Sequence, residues 1–466
     1  MHRDGRRVLV SLLVVALIGL GQQAGASGFA LIEQSPRGLG NGFAGASAGM
    51  EDASTIFYNP AGMTALENPD VVIGGQVIVP KFEMIQGGAT FAAGTNTVPV
   101  SGGNGGDAGR TGYVPNFYAA GALADRVALG VGVFAPYGLK TEYDDTWFGR
   151  YQAIKTALQT VEVSPALAVK VCKSFSVGAG VSAQYAEAEL TRAIDVGSIA
   201  SAQLAALGMS SVPGVAPGAL DMKAKLTGDS WAWGYNFGAV YAPCTETRLG
   251  VSYRSPIKQE LEGDVDFEAS AQLEQFGQAA QSNPQLAPLA AGMASQFRST
   301  TGHADLHLPE TVSAGFCQKL GPRLDVKGDV SWTSWSRFDE LRVTYESGLP
   351  DSVTVEDWKD TWRFALGTDF AVSPKLTLRG GFAFDETPVR DAAHRTARIP
   401  DNDRTWLAAG AGYQPCQWVS IDVSYAHLFL KDADISSVNP DAPGETLSGT
   451  YQSDVDIFSV QLRWVI

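Results

Sequence analysis

The sequence predicts an all-β fold: a fourteen-stranded antiparallel β-barrel that crosses a membrane. Three observations predict it. Segments of about ten residues alternate apolar with small or polar side chains. Short turns and long loops follow one another in a regular order. A secretory leader opens the chain, and no long charge-free apolar run follows it, so the spans are not helical.

The leader comes first. Arg6 and Arg7 precede the apolar run of residues 8–20, and Ala24 and Ala26 give the small-x-small pattern of a cleavage site. Residues 1–26 are thus expected to be a signal peptide cut after Ala26. The formal net charge of −15 disfavours nucleic acid as a partner.

The strands follow. In "FSVGAGVSAQY" (175–185), Phe175, Val177, Ala179, Val181, Ala183 and Tyr185 share one side; Ser176, Gly178, Gly180, Ser182 and Gln184 share the other. Successive side chains of a strand point to opposite faces, so one face is apolar and one polar or small. "WAWGYNFGAVY", "WRFALGTDF", "KLTLRGGFAFD" and "WVSIDVSYAHLF" repeat the pattern. A closed barrel satisfies every backbone group without an exposed edge, as lipid demands. The turns "LADRVAL", "KVCKSFS", "APCTETRL", "QKLGPRL", "AVSPKL" and "YQPCQWV" are short and fit periplasmic ends, and the long Gly-, Pro- and Ser-rich segments between them fit extracellular loops. The last strand, "FSVQLRWVI", ends on Ile466 rather than on an aromatic residue.

Two of the long loops are apolar. One, over residues 193–222, carries Leu204 and Leu207; the other, over 269–297, carries Leu273, Phe276, Leu286, Leu289, Met293 and Phe297. Pro284 is suited to position N1 of a short helix that would line up the last four of these. Such faces can hold an apolar ligand or pack the two loops together.

Three chemical signals are weak. Cys172, Cys244, Cys317 and Cys416 are far apart and form no C-x-x-C. All four fall near expected periplasmic turns, where equivalent hairpin ends stand ~9.6 Å apart, too far for a relaxed disulfide unless the turns lean together. His303 and His307 lie in an alternating stretch, not on a helix, so no metal is expected. "GASAG" (45–49) matches G-x-S-x-G, but no apolar strand precedes it, as a Ser47 nucleophile would require.

Six stretches in order resemble one family: residues 28–64, "PYGLKTEYDDTWFGRY", "LGVSYRSPIK", "VSWTSWSRFDELRV", "LRGGFAFDETPVRD" and "RIPDNDRTWLAAGAGY". They are similar to the FadL-type outer-membrane transporters of long-chain fatty acids and aromatic hydrocarbons, over essentially the whole mature chain. The resemblance implies residence in the outer membrane of a Gram-negative bacterium. It also implies a barrel over residues 69–466, plugged by a hatch over residues 27–68, in which Asn59, Pro60 and Ala61 match the hatch motif. It implies short helices in extracellular loops that capture a hydrophobic ligand, amid outer-membrane lipid and lipopolysaccharide.

By strand parity Arg192 points inward, where it matches the family's arginine near the ligand carboxylate. The family's second cation falls on Thr354 here, so Lys359, Arg363 and Arg379, also inward by parity, are its candidate substitutes; Lys359 is preferred, since Arg363 and Arg379 have lumen acids to pair with. The family's wall opening in the third strand falls on Gly130, Gly132 and Pro136; the glycines weaken that strand and Pro136 cannot donate to a ladder. The expectation is passive uptake by a monomer, with no cofactor, no metal and no enzymatic activity. The substrate is a long-chain fatty acid or, alternatively, an aromatic hydrocarbon. A lipid hydrolase is a further alternative: it needs a serine beside an outward histidine, and His427 has no such neighbour in the pattern.

Overall fold

The computed structural model describes residues 28–93, 96–206, 208–209, 212–439 and 444–466. The signal peptide expected over residues 1–26 lies outside the described residues, as does Leu207. Fourteen wall strands run antiparallel in chain order. They are β1 (Asp70–Ala93), β2 (Gly112–Ala124), β3 (Val127–Phe134, then Gly138–Glu142), β4 (Lys155–Cys172), β5 (Phe175–Asp195), β6 (Asp221–Tyr241) and β7 (Thr247–Arg254, then Ile257–Ala269). They continue with β8 (Thr300–Leu308, then Thr311–Leu320), β9 (Leu324–Thr333, then Glu340–Tyr345), β10 (Ser352–Val355, then Thr361–Ser373), β11 (Leu376–Asp385), β12 (Arg404–Cys416), β13 (Val419–Leu430, then Ala433–Val438) and β14 (Thr446–Val465). A short strand, Asn96–Pro99, folds back on the end of β1. The barrel closes where β1 pairs with β14, from Asp70↔Val465 to Thr90↔Thr446.

The alternation read from the sequence is the alternation of the wall. Trp231, Trp233, Tyr235 and Phe237 of β6 and Trp362, Phe364, Leu366 and Phe370 of β10 face outward and are exposed on the isolated chain. Asn236, Arg363 and Asp369 between them are buried. An apolar outer surface around a polar bore is stable only against lipid. Among the described residues no helix is long and apolar enough to cross a membrane.

The core lies in the bore. Residues 28–66 are largely buried and form short elements: α1 (Pro36–Leu39), a 3-10 turn (Ala46–Ala48), α2 (Thr55–Tyr58) and a second 3-10 helix (Pro60–Ala65). Ser35 caps α1, its Oγ accepting from Gly38 N at 3.1 Å, and Pro36 opens it. Leu39, Phe43 and Met50 pack on inward residues of the wall, including Trp406, Leu428 and Ile457.

Three more helices stand in the long loops: α3 (Val196–Ala206), α4 (Ala271–Gln281) and α5 (Ala287–Gln296). The sequence places Pro284 at N1, but the helix begins at Ala287 with Pro288 in its first turn. Asn283 takes the preceding turn, its Oδ1 accepting from Gln285 N at 3.0 Å, and this local bond delays the helix. The four cysteines are free. Cys317 is not in a turn; it lies within β8 and is buried.

Candidate functional site

The segment in the bore is fastened to the wall by side chains that span both. Asn59 is the N-cap of the Pro60–Ala65 turn, its Oδ1 accepting from Ala61 N at 3.0 Å. Its Nδ2 donates to Ser47 O (2.5 Å) and lies 3.1 Å from both Ala239 O of β6 and Val251 O of β7. One amide thus ties two turns of the segment to two wall strands. Pro60 and Ala61 are buried beside it. The wall leaves room with glycine: a Cβ on Gly238 would lie 2.0 Å from Asn59 Oδ1, and one on Gly381 would lie 2.1 Å from the Asn41 carbonyl carbon.

Charge adds to this fastening. Glu51 pairs with Arg37 and lies 3.5 Å from Arg248 and 3.6 Å from Lys327. Lys327 and then Arg37 hold its carboxyl well below the usual range. Lys327 also meets Asp369 at 2.8 Å, and Asn41 Nδ2 donates to the same carboxylate at 3.0 Å. Ser47 donates to Asp329 through its amide (2.9 Å) and its hydroxyl (2.6 Å), so the G-x-S-x-G match is part of this docking surface. Arg379 pairs with Asp422 at 2.7 Å, and Arg363 Nη2 donates to Gly42 O at 2.8 Å. Both arginines are inward, as parity predicts, but they are engaged near the docked segment.

The third strand is broken where the sequence places its proline. β3 pairs with β2 only from Val127 to Val133, so Gly112–Asn116 of β2 pair with β1 alone. At the break the chain pairs inward: Leu31 N donates to Pro136 O (2.8 Å), Gly138 N to Phe29 O (2.9 Å) and Gln34 Nε2 to Ala135 O (2.6 Å). Phe29 sits among Trp335, Phe338 and Trp358, with ring centroids 4.8, 5.5 and 5.6 Å away. Pro136 is therefore at the gap, but Gly130 and Gly132 are not. Both lie in the part of β3 paired on both sides. A Cβ on Gly130 would lie 2.7 Å from Ile56 Cδ1 and 2.8 Å from Met63 Sδ, so its role is to admit the bore segment.

Toward the loop end lies a cavity of about 450 Å³. Leu190, Ile194, Phe267, Phe297 and Val343 give it apolar walls, and two cations line it: Arg192 of β5 and Arg398 from the segment between β11 and β12. Thr354 lines the same cavity. Arg398 Nη1 donates to Thr156 Oγ1 at 3.1 Å, which turns the guanidinium inward from a loop. Lys359, the preferred substitute by parity, is exposed and outside this cavity. It stands between the two parts of β10, where the ladder stops and strand parity no longer holds; its amide donates to Pro388 O instead (2.9 Å). The residue that parity missed is Arg398, which belongs to no strand.

The greasy loop residues divide. Leu204, Leu273, Leu286, Leu289 and Met293 are buried together, joining α3 to α4 and α5, with Phe276 and Phe297 partly buried at the edge. Of these, Phe297 alone lines the 450 Å³ cavity, its ring 5.6 Å from that of Phe267. The packing of loop on loop accounts for the others.

His427 faces outward with its Nδ1 2.8 Å from Asp456 Oδ1, and Tyr425 donates to the same oxygen at 2.6 Å. Its partner is a carboxylate rather than a serine.

Comparison with known proteins agrees with this architecture. The family model described as "Outer membrane protein transport protein (OMPP1/FadL/TodX)" matches residues 17–465. A long-chain fatty acid transport protein of Escherichia coli O6:H1 is 31% identical over 421 residues, covering 90% of each chain. The crystal structure of a Pseudomonas aeruginosa FadL homologue superposes with a TM-score of 0.82 at 26% identity, covering 94% of this chain and 99% of that one. The Pseudomonas putida toluene transporter TodX shares the fold, with a TM-score of 0.65 at 16% identity, over 94% of this chain and 100% of its own. The chain belongs to the FadL/TodX family of outer-membrane transport proteins, which places it in the outer membrane of a Gram-negative bacterium.

Proposed function

We infer that this member of the FadL/TodX family carries out passive uptake of hydrophobic compounds, and that its substrate is a long-chain fatty acid. The observation that carries the substrate is the cavity inside a closed barrel in which Arg192 and Arg398 stand among mainly apolar side chains; the one acid among the described residues that line it, Asp351, pairs with Arg342 at 3.1 Å. An acyl chain gains roughly 0.8 kcal/mol for each CH₂ it buries, and a carboxylate in such surroundings requires a cation. The relatives named as long-chain fatty acid transport proteins support the same reading.

The path has three stages. The ligand enters between the long loops, past Phe297. It rests in the cavity with its head at Arg192 and Arg398. It leaves sideways, through the gap beside Pro136, into the bilayer. Residues 27–68 act as the hatch that closes the bore, and residues 1–26 as the export signal. The chain works as a monomer without a cofactor or an enzymatic step, in contact with outer-membrane lipid and lipopolysaccharide.

Binding of oleate and of toluene to the purified protein tests the substrate. Oleate is expected to bind, and to lose at least tenfold in affinity in Arg192→Met and in Arg398→Met. Toluene binding with no oleate binding would turn the reading to aromatic hydrocarbons.

A further inference from the structure

A second chamber, of about 280 Å³, adjoins the 450 Å³ cavity: Arg192, Ile194 and Ile199 line both. Its other walls differ in kind. Asp195, at the end of β5, and Glu445, just before β14, bring two carboxylates to it, and they are 7% and 1% exposed. Phe91 and Tyr151 bring two buried rings, with centroids 5.3 Å apart.

The two carboxylates are not equally satisfied. Asp195 accepts from Ser198 N (2.9 Å) and Gly218 N (3.0 Å) as well as from the Ser198 hydroxyl. Glu445 Oε2 accepts from Asn439 Nδ2, while its Oε1 is buried with no hydrogen-bond partner among the described residues. Arg150, beside Tyr151, gives its donors elsewhere. Its Nε meets Asp221, its Nη1 donates to Ser101 O and its Nη2 to the Tyr151 hydroxyl, each at 2.8 Å. A buried acceptor left without a donor is a place for a donor from outside the chain. Two carboxylates and two aromatic rings ask that this donor be a cation. A primary ammonium meets both demands.

We propose that the second chamber takes the ammonium end of a zwitterionic single-chain amphiphile. The anionic group of that ligand lies at Arg192 and Arg398, and its tail fills the 450 Å³ cavity. The class is a lysophospholipid with a primary amine in its head. This rests on the uptake reading of the larger cavity and adds a substrate class to it. A guanidinium suits a phosphate as well as a carboxylate, so the same two arginines serve a lysophospholipid and a fatty acid. A fatty acid uses the larger cavity alone. A quaternary ammonium carries the charge but has no N–H for Glu445 Oε1, so the site prefers an ethanolamine head to a choline head.

Displacement of a bound fluorescent fatty acid from the full-length, detergent-solubilised protein tests it. The competitors are oleate, oleoyl lysophosphatidylethanolamine and oleoyl lysophosphatidylcholine; the two lysolipids share a tail and a net charge. In the unaltered protein the ethanolamine lipid should bind at least about tenfold more tightly than the choline lipid. In Glu445→Gln that preference should shrink to about twofold or less, with oleate within a few-fold of its unaltered affinity. Equal affinity for the two lysolipids in the unaltered protein, or a preference that survives in Glu445→Gln, overturns the ammonium site and leaves the uptake reading standing. Failure of the fluorescent fatty acid and of oleate to bind overturns the uptake reading itself.

Discussion

Replacing Asn59 with alanine isolates the fastening of the bore segment. The side chain makes one cap bond to Ala61 N and shares its two amide hydrogens among Ser47 O, Ala239 O and Val251 O. At about 1 kcal/mol for the cap and about 1 kcal/mol for each of two neutral bonds, the loss is about 3 kcal/mol of docking free energy. That is a roughly hundredfold rise in the undocked population, since about 1.4 kcal/mol is tenfold. None of these bonds belongs to the ladder between wall strands, so the barrel should keep its own stability. Native-state hydrogen exchange reads this directly. Amides of residues 54–66 should exchange about a hundredfold faster in Asn59→Ala, with those of β5 and β6 unchanged. Equal loss of protection in the wall would mean that the segment is part of the barrel's own core, and unchanged exchange would mean that Asn59 does not hold it.

Other perturbations separate the parts of the account. Removing either cavity arginine should weaken oleate by about 1.5–3 kcal/mol while leaving oleyl alcohol within a few-fold, measured by ligand fluorescence. Phe297→Ala should weaken both probes, whereas Leu289→Ala, at a position buried between the loops, should cost about 2–5 kcal/mol of loop packing and show chiefly as faster proteolysis of residues 269–297. Gly130→Val should speed hydrogen exchange in residues 54–66, because its side chain meets Ile56 and Met63; overpacking of this kind costs about 1–3 kcal/mol. Burial raises Glu33 in the bore segment from 4.5 to about 7, against the opposing pull of Arg404 and Arg363. A raised carboxyl favours the docked, protonated form, so this stability is complete below the ordinary pKa and is lost as pH rises through about 7. Protection of residues 28–50, corrected for intrinsic exchange, should fall as pH rises from about 4.5 to about 7 and level off above it in the unaltered protein, and Glu33→Gln should remove the dependence.

What could be read from the chain was local in period. Phe175 to Tyr185 announces a strand because each side chain is sorted by its immediate neighbours, and the wall follows that sorting wherever the ladder is continuous. Arg192 was legible for this reason, since it sits inside the long run of β5. Parity does not place Lys359, because it has no meaning between Val355 and Thr361, where the strand is interrupted. Arg398 carries no periodic signal at all; its place is set by the path of a loop that crosses the bore to reach Thr156. Glycine weakens a strand, but here Gly130 makes room for Ile56 and Met63, which come from far earlier in the chain, and Gly132 makes room for the rings of Tyr118 and Phe134. The described loop apolar residues pack together, but amphipathic spacing does not tell a ligand-facing side from one that faces another loop.

The most direct test of the central claim is growth on oleate of a Gram-negative host that lacks its own fatty-acid channel. The account predicts that expression of this chain restores growth and that the doubly substituted Arg192→Met, Arg398→Met chain, present in the outer membrane at equal level, does not. Equal growth with and without the two arginines would contradict the headgroup site, and failure of the unaltered chain to restore growth would contradict fatty-acid uptake.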